Sequence, residues 1–329
     1  MHRQTMVTGV YLLVVGVILA VIGFATNAPK TVVWDHGFNV SQNIEYTKNV
    51  DKFSNVIISG NDGNVEVKSG DSFKVYVKGD KRQIPKYKIR QNTLFINKQT
   101  RAKAGIITQP QRIVVTVPKD EKLDMVEANV SQDDISLNGI TVNKLIVNSS
   151  SDSDYGWLYI NNSRVLKSSK MNLNTYHLQT FNTEMNNLTL DAGELPDDYS
   201  AGNDADDIDY EDTVVDSIHL ENSSFTNAKL SLDHSDIYIE DSTLSGTKSK
   251  SSHSRVKMDN SVLKGVNEFT ISSGLFSGRK NKIDGYDLST NKGTIKFLGN
   301  RIKENQYQVN QNVDNLLRVN GERVRIVIK

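Results

Sequence analysis

Residues 218–264 carry one phrase three times, each copy nineteen residues after the last: Ile218-His-Leu-Glu-Asn-Ser-Ser-Phe225, Ile237-Tyr-Ile-Glu-Asp-Ser-Thr-Leu244 and Val256-Lys-Met-Asp-Asn-Ser-Val-Leu263. An apolar–x–apolar step sets two side chains on one face of a strand. The Glu/Asp-Asn/Asp-Ser that follows is turn chemistry. A further apolar residue begins the next short run. One such unit has too little apolar surface to fold alone, so it must bury its face against its own neighbouring copies. The fold this predicts is all-β: a single-stranded, right-handed parallel β-helix or solenoid, one coil per roughly 19–20 residues.

Looser copies extend the pattern both ways, at Ile135-Ser-Leu137, Leu158-Tyr-Ile160 and Ile295-Lys-Phe297. Companion strands fall between them, among them Leu145-Ile-Val147, Leu188-Thr-Leu190, Leu230-Ser-Leu232 and Phe269-Thr-Ile271. Ser249 and Ser251 stand where the previous coil has Leu230 and Leu232, so that coil has either an internal serine step or a shifted register. Near the end, Asn320-Gly321 between two apolar runs is a hairpin signal. A terminal hairpin there would close the exposed last coil.

The rest of the chain divides by composition. Residues 6–28 carry no charge and are mostly apolar, long enough to span a bilayer as a helix. Residues 1–28 are therefore read as an N-terminal transmembrane anchor. The N-terminus is placed in the cytoplasm, with Arg3 as its positive flank, and the bulk of the chain outside the cell. Gly9, Gly16 and Gly23 recur every seven residues along it, and small residues let membrane helices approach closely. Residues 29–43 read as a stalk and 44–118 as a basic region of alternating strands. Residues 119–329 read as the solenoid, interrupted by an acidic loop at 191–216. Lys74 to Arg112 holds eleven Lys/Arg against one acid, Asp80. Alternation puts these lysines on the wet face of each strand, and the same stretch offers a surface to an anionic wall polymer. The acidic loop holds eleven Asp/Glu and no Lys or Arg. It lacks the glycine and the terminal Glu spacing of an EF-hand, so no calcium site is assigned.

Composition excludes several chemistries. With no Cys there is no thiol catalysis, no Cys-ligated zinc and no iron–sulfur cluster. Lys+Arg and Asp+Glu are both 39; a neutral chain without a recognition motif is not a nucleic-acid binder. His234 and His253 repeat in register beside Ser235 and Ser254. Stacked coils would bring their imidazoles about 4.8 Å apart, a spacing a metal can bridge. No third ligand recurs with them, so repeat copying accounts for the pair. No metal, cofactor or catalytic residue is assigned.

The pattern resembles a bacterial family of envelope proteins with β-strand repeats, labelled putative adhesins. The residues that carry the likeness are the apolar N-terminal segment, Ile113-Val-Val-Thr-Val-Pro-Lys119 leading into Leu123-Asp-Met-Val126, and strands of the type Ser235-Asp-Ile-Tyr-Ile239. The likeness covers roughly residues 44–329 and implies a right-handed solenoid exposed at the cell surface. It brings no catalytic residues with it. The expected function is a non-enzymatic binding or adhesion module, tethered to the membrane by its helix, whose partner is an anionic wall polymer or another envelope protein. An envelope-stress accessory acting through a membrane partner and a polysaccharide-acting β-helix enzyme are the alternatives.

Overall fold

The computed structural model describes residues 2–25, 31–34, 38–41, 43–60, 63–81, 85–98, 111–130, 134–149, 156–173, 176–193 and 216–329. Helix α1, His2–Ala25, is followed by an antiparallel pair, Thr31–Trp34 with Phe38–Ser41, within the segment read as a stalk. All other described strands join one continuous sheet wound into coils. The strands on either side of residue 118 pair within it, Asn55–Gly60 with Lys122–Val130 for instance. Among the described residues, no helix is long and apolar enough to cross a membrane. The transmembrane anchor expected over residues 1–28 is thus not established; the helix there runs from His2 to Ala25.

The repeated phrase maps onto one coil with three sides. Its apolar–x–apolar step is the first side: Asp216–Glu221, Ser235–Glu240 and Ser254–Asp259 stack in parallel, with Ile218 opposite Ile237 and Ile237 opposite Val256. The single apolar residue after the turn is the short second side, Ser224–Thr226 on Thr243–Ser245 on Val262–Lys264. The companion strands are the third side, Lys229–Asp233 on Lys248–Ser252. Alternation sends one residue in two inward, and Ile237, Ile239, Leu244, Val256, Met258 and Leu263 are buried with their counterparts in one continuous core.

The corner between the first and second sides shows what the Glu-Asn-Ser phrase is for. Asn222, Asp241 and Asn260 take left-handed backbone, with φ between 47 and 49°, a conformation short polar side chains tolerate. The serine that follows turns inward and is buried. Its hydroxyl donates to the carbonyl two residues back, as Ser242 Oγ does to Glu240 O at 2.7 Å. It also accepts from the coil below: Ser223 N–H donates to Ser242 Oγ at 3.1 Å, and Ser242 N–H to Ser261 Oγ at 3.2 Å. Buried backbone groups that the bend removes from the sheet are satisfied in this way.

Ser249 and Ser251 keep the register, opposite Leu230 and Leu232. They form an internal serine step: both are buried, and neither hydroxyl has a hydrogen-bond partner among the described residues. An unsatisfied buried hydroxyl costs about 1–3 kcal/mol. Ser249→Ala and Ser251→Ala should therefore each stabilise the protein by about 1 kcal/mol, read as a rise in the urea midpoint at unchanged slope. A fall in midpoint for both would mean that water or a rotamer shift satisfies them.

The ends depart from the expectation. Leu316–Ile328 is one strand, without a hairpin at Asn320-Gly321. It bends at Gly321, where a Cβ would lie 2.2 Å from Ile271 O and 2.9 Å from Val324 Cβ, so the close approach of two backbones, rather than a reversal, needs glycine. The strand pairs in parallel with Val266–Arg279 on one side and with Gly285–Thr290 and Thr294–Phe297 on the other. The last coil in sequence is the one before last in space. The N-terminal end is built alike: Asn55–Gly60 and Asn64–Gly70 lie between a coil made of Thr93–Lys98 and Arg112–Pro118 and one made of Lys122–Val130 and Ile135–Asn138. Antiparallel strands cover the outer edges. Lys86–Arg90 lies on Thr93–Lys98 and Lys74–Asp80 on Arg112–Pro118 at one end. Gln306–Val309 lies on Gly285–Thr290 and Asn300–Ile302 on Thr294–Phe297 at the other. The sheet edge is thereby blunted.

Candidate binding face

The first side of the coil is a parallel sheet whose outward residues line up in ladders, because its strands pair without a register shift. One ladder sets Trp157 opposite His177. A neighbouring one runs Tyr159, Gln179, His219, Tyr238, Lys257. Their rings form a strip. Trp157 stacks on Tyr159 at 5.5 Å between centroids, with planes 6° apart, and lies 4.5 Å from His177. His219 stacks on Tyr238 at 4.7 Å, and the Lys257 ammonium sits 4.9 Å from the Tyr238 ring centre. Trp157 and, at the edge of the same face, Phe181 are exposed at 36% and 41%. These fractions are high for rings in a fold that buries most of its large apolar side chains. From Trp157 to Lys257 the strip crosses five coils, about 19 Å at the strand spacing of a sheet.

Two features fix His177 and Tyr238 within the strip. Ser217 N–H donates to His177 Nδ1 at 3.1 Å, and burial, with a smaller contribution from nearby His219, lowers the His177 pKa. The imidazole is neutral at pH 7. Beneath Tyr238 lies Asp236, whose side chain is 4% exposed. It takes Arg255 Nη2 at 2.6 Å and Nε at 2.9 Å and accepts the Tyr238 hydroxyl at 3.1 Å. Burial, then the Asp236 charge and this hydrogen bond, raises the Tyr238 pKa, so the phenol stays protonated. A carboxylate so fully engaged positions its neighbours; it is not free to act as a general base.

At its C-terminal end the face opens into a cleft of about 420 Å³. Arg255, Lys292, Arg323 and Arg325 line it, together with Leu275, Gly274 and Gly293, and no acidic residue does. Register explains the arrangement: Arg255 faces Leu275, and Leu275 faces Arg325, so an apolar side chain lies between two guanidinium groups. Arg255 is paired with Asp236 and Lys292 with Glu322. Arg323 and Arg325 are exposed and make no ion pair among the described residues. Planar guanidinium forks suit carboxylate and phosphate oxygens.

The described residues of the basic stretch from Lys74 to Arg112 behave as alternation demands. Lys86, Lys88 and Arg90 are exposed while Tyr87 and Ile89 between them are half-buried. Lys78 and Arg112 pair with Glu45 and Glu66. The acidic loop expected at 191–216 is shorter than that at both ends: Asp191 and Ala192 belong to the strand Leu188–Ala192 and Asp216 to the strand Asp216–Glu221, because their backbones continue the coil's ladders; residues 194–215 lie outside the described residues. His234 and His253 come together as their spacing requires, with ring centres 4.6 Å apart. Asp233 joins them, its Oδ1 3.0 Å from His234 Nδ1. Periodicity missed Asp233 because its counterpart in the next coil is Ser252. It missed the aromatic strip because Trp157, His177 and His219 occur at unequal intervals, and the step from Leu178 to Ile218 spans the acidic insertion. The signal that was available is an excess of aromatics at outward positions of first-side strands.

A family model described as Toastrack DUF4097 matches residues 53–325. Among solved structures, the chain is similar to a protein named a putative adhesin from Bacteroides fragilis, at 10% identity over 87% of this chain and 97% of that one, TM-score 0.40. It is similar to another so named from Parabacteroides distasonis, at 10% identity over 87% and 96%, TM-score 0.43. A third, named a putative lipid binding protein from Parabacteroides distasonis, aligns at 8% identity over 87% and 96%, TM-score 0.44. No curated protein matches the sequence.

Proposed function

This chain belongs to the Toastrack DUF4097 family, and from that premise we propose that it is a non-enzymatic binding or adhesion module, membrane-anchored and facing outward, that takes an anionic glycan on its first side. The observation that carries the reading is the outward-facing, half-buried to exposed set of rings from Trp157 to Tyr238 on a regular parallel sheet. Ring faces pack against the C–H faces of sugars, and a strip of them across successive coils suits an extended polymer better than a compact ligand. The basic cleft beside it accepts acidic substituents. The anchor is proposed from the uncharged run at residues 6–28 and from the exposed apolar side chains of α1, such as Leu12, Leu13, Val17 and Leu19. The coil is taken as right-handed, the general bias of strand–crossover–strand links.

The test is binding of the full-length protein in detergent to wall polymers and to a panel of acidic and neutral glycans. Trp157→Ala with Tyr238→Ala should weaken binding at least about tenfold, the loss of about 1.4 kcal/mol of stacking. Arg323→Ala with Arg325→Ala should remove the preference for acidic polymers and flatten the salt dependence. No binding across the panel, or equal binding by the aromatic double variant, would sink the reading. New reducing ends or unsaturated sugars would establish the enzyme alternative instead. Loss of cellular function on replacing Gly16, Ala20 and Gly23 with Leu, with glycan binding intact, would favour the envelope-stress accessory.

A further inference from the structure

We propose that Asp233, His234 and His253 form a divalent-metal site, of the class that takes zinc, nickel or copper, which clips two consecutive coils together at the corner between the third and first sides. The site is separate from the ring strip and stands or falls independently of the glycan reading.

The first line of argument is what occupies the corner. At the corner between first and second sides, the left-handed residue is Asn162, Asn182, Asn222, Asp241 or Asn260, followed by a buried hydroxyl. The corner at His234 and His253 has the same construction. Both histidines have φ of 47°, Ser235 and Ser254 are buried, and Ser235 N–H donates to Ser254 Oγ at 3.3 Å. The geometry calls for asparagine and two successive coils carry histidine instead. Asparagines bond to each other across coils, as Asn182 Nδ2 does to Asn162 Oδ1 at 2.8 Å. The imidazoles stack, with planes 16° apart, and no hydrogen bond joins them. His234 Nδ1 is buried without a hydrogen-bond partner. Its 3.0 Å separation from Asp233 Oδ1 is an ion-pair distance without hydrogen-bond alignment.

The second line is the donor geometry. Asp233 Oδ1 lies 3.0 Å from His234 Nδ1 and 3.9 Å from His253 Nδ1, and one donor atom from each residue falls within 4.8 Å of the others. A tetrahedral zinc with bonds of about 2.0–2.1 Å keeps its donors about 3.3 Å apart, between the two measured distances. Ser252 Oγ donates to the same Asp233 oxygen, which orients the carboxylate as outer-shell partners of metal ligands do. His253 and Asp233 are 44% and 49% exposed, which leaves an entry path and room for water as fourth ligand. Near-parallel rings do not aim their lone pairs at one point, so binding requires the more exposed His253 ring to rotate toward Asp233. Two imidazoles and one carboxylate select borderline transition metals over calcium or magnesium.

The test is calorimetric titration of EDTA-stripped, full-length protein with zinc chloride, repeated with cobalt(II), whose absorption intensity reports tetrahedral geometry. One zinc per chain is expected. Binding should weaken about tenfold or more in His234→Asn and in His253→Asn alike, and the cobalt band should vanish in both. Asparagine takes the same left-handed backbone at the other corner, at 222 and 260, so these variants keep the fold, checked by unchanged metal-free thermal unfolding. Zinc binding unchanged in the double variant, or no binding to the wild-type chain at about 100 µM zinc, a Kd far weaker than such donor sets give, overturns the proposal.

Discussion

A chain ending at Asn315 will lose the sheet order of residues 266–315 together, not a single coil. Leu316–Ile328 is hydrogen-bonded in parallel on both sides along nearly its full length. It contributes Leu317, Val319, Val324 and Ile326, each at 0% exposure, and Ile328 at 3%. Burial of one such side chain stabilises by about 1.5–3 kcal/mol. Their joint removal therefore costs on the order of 10 kcal/mol, comparable with the entire stability of an ordinary domain. The loss also separates Val266–Arg279 from the outer coil at Gly285–Phe297, which has no other parallel neighbour among the described strands. Limited proteolysis and hydrogen exchange should show residues 266–315 opening together, while the described strands between Ile135 and Ser252 stay protected, since repeat coils hold one another locally. A truncated protein that keeps amide protection at 285–297 would refute this account of the end.

The second large effect is an asymmetry at the ion pair under the ring strip. Arg255→Leu leaves Asp236, with 4% of its side chain exposed, facing one tyrosine hydroxyl. Breaking a buried pair from one side costs about 3–5 kcal/mol. Arg255 itself is 24% exposed, so the expected loss is at the lower end, about 3 kcal/mol. Replacing both, Asp236→Leu with Arg255→Leu, should cost clearly less than the single change, because no unpaired charge remains. Urea denaturation of the four proteins of this cycle measures it. Additive single and double changes would mean that water, not Arg255, satisfies Asp236.

Much of the coil was legible before any coordinates. The nineteen-residue step, the inward apolar pairs and the Asn-Ser turn all rest on local rules: strand alternation, left-handed tolerance of short polar residues, and hydroxyl bonding to nearby backbone; whether Ser249 and Ser251 form an internal step or mark a shifted register took the pairing across coils to decide. Those rules operate within one repeat, so one repeat suffices to show them. The hairpin expected at Asn320-Gly321 failed for the same reason. The local signal is real, but Gly321 serves a bend pressed against Ile271, a contact made by a strand about fifty residues earlier.

By itself the sequence determined that this protein is a stack of thin parallel coils with a common core, because every repeat states the same inward and outward choice. Only the tertiary structure decided the order of coils at the two ends. It alone brought Trp157, His177, His219 and Tyr238 into one strip, and Asp233 beside two histidines. Which residues become neighbours across coils depends on which edges must be covered and how far an insertion shifts the numbering. That competition among long-range pairings leaves no periodic mark in the chain.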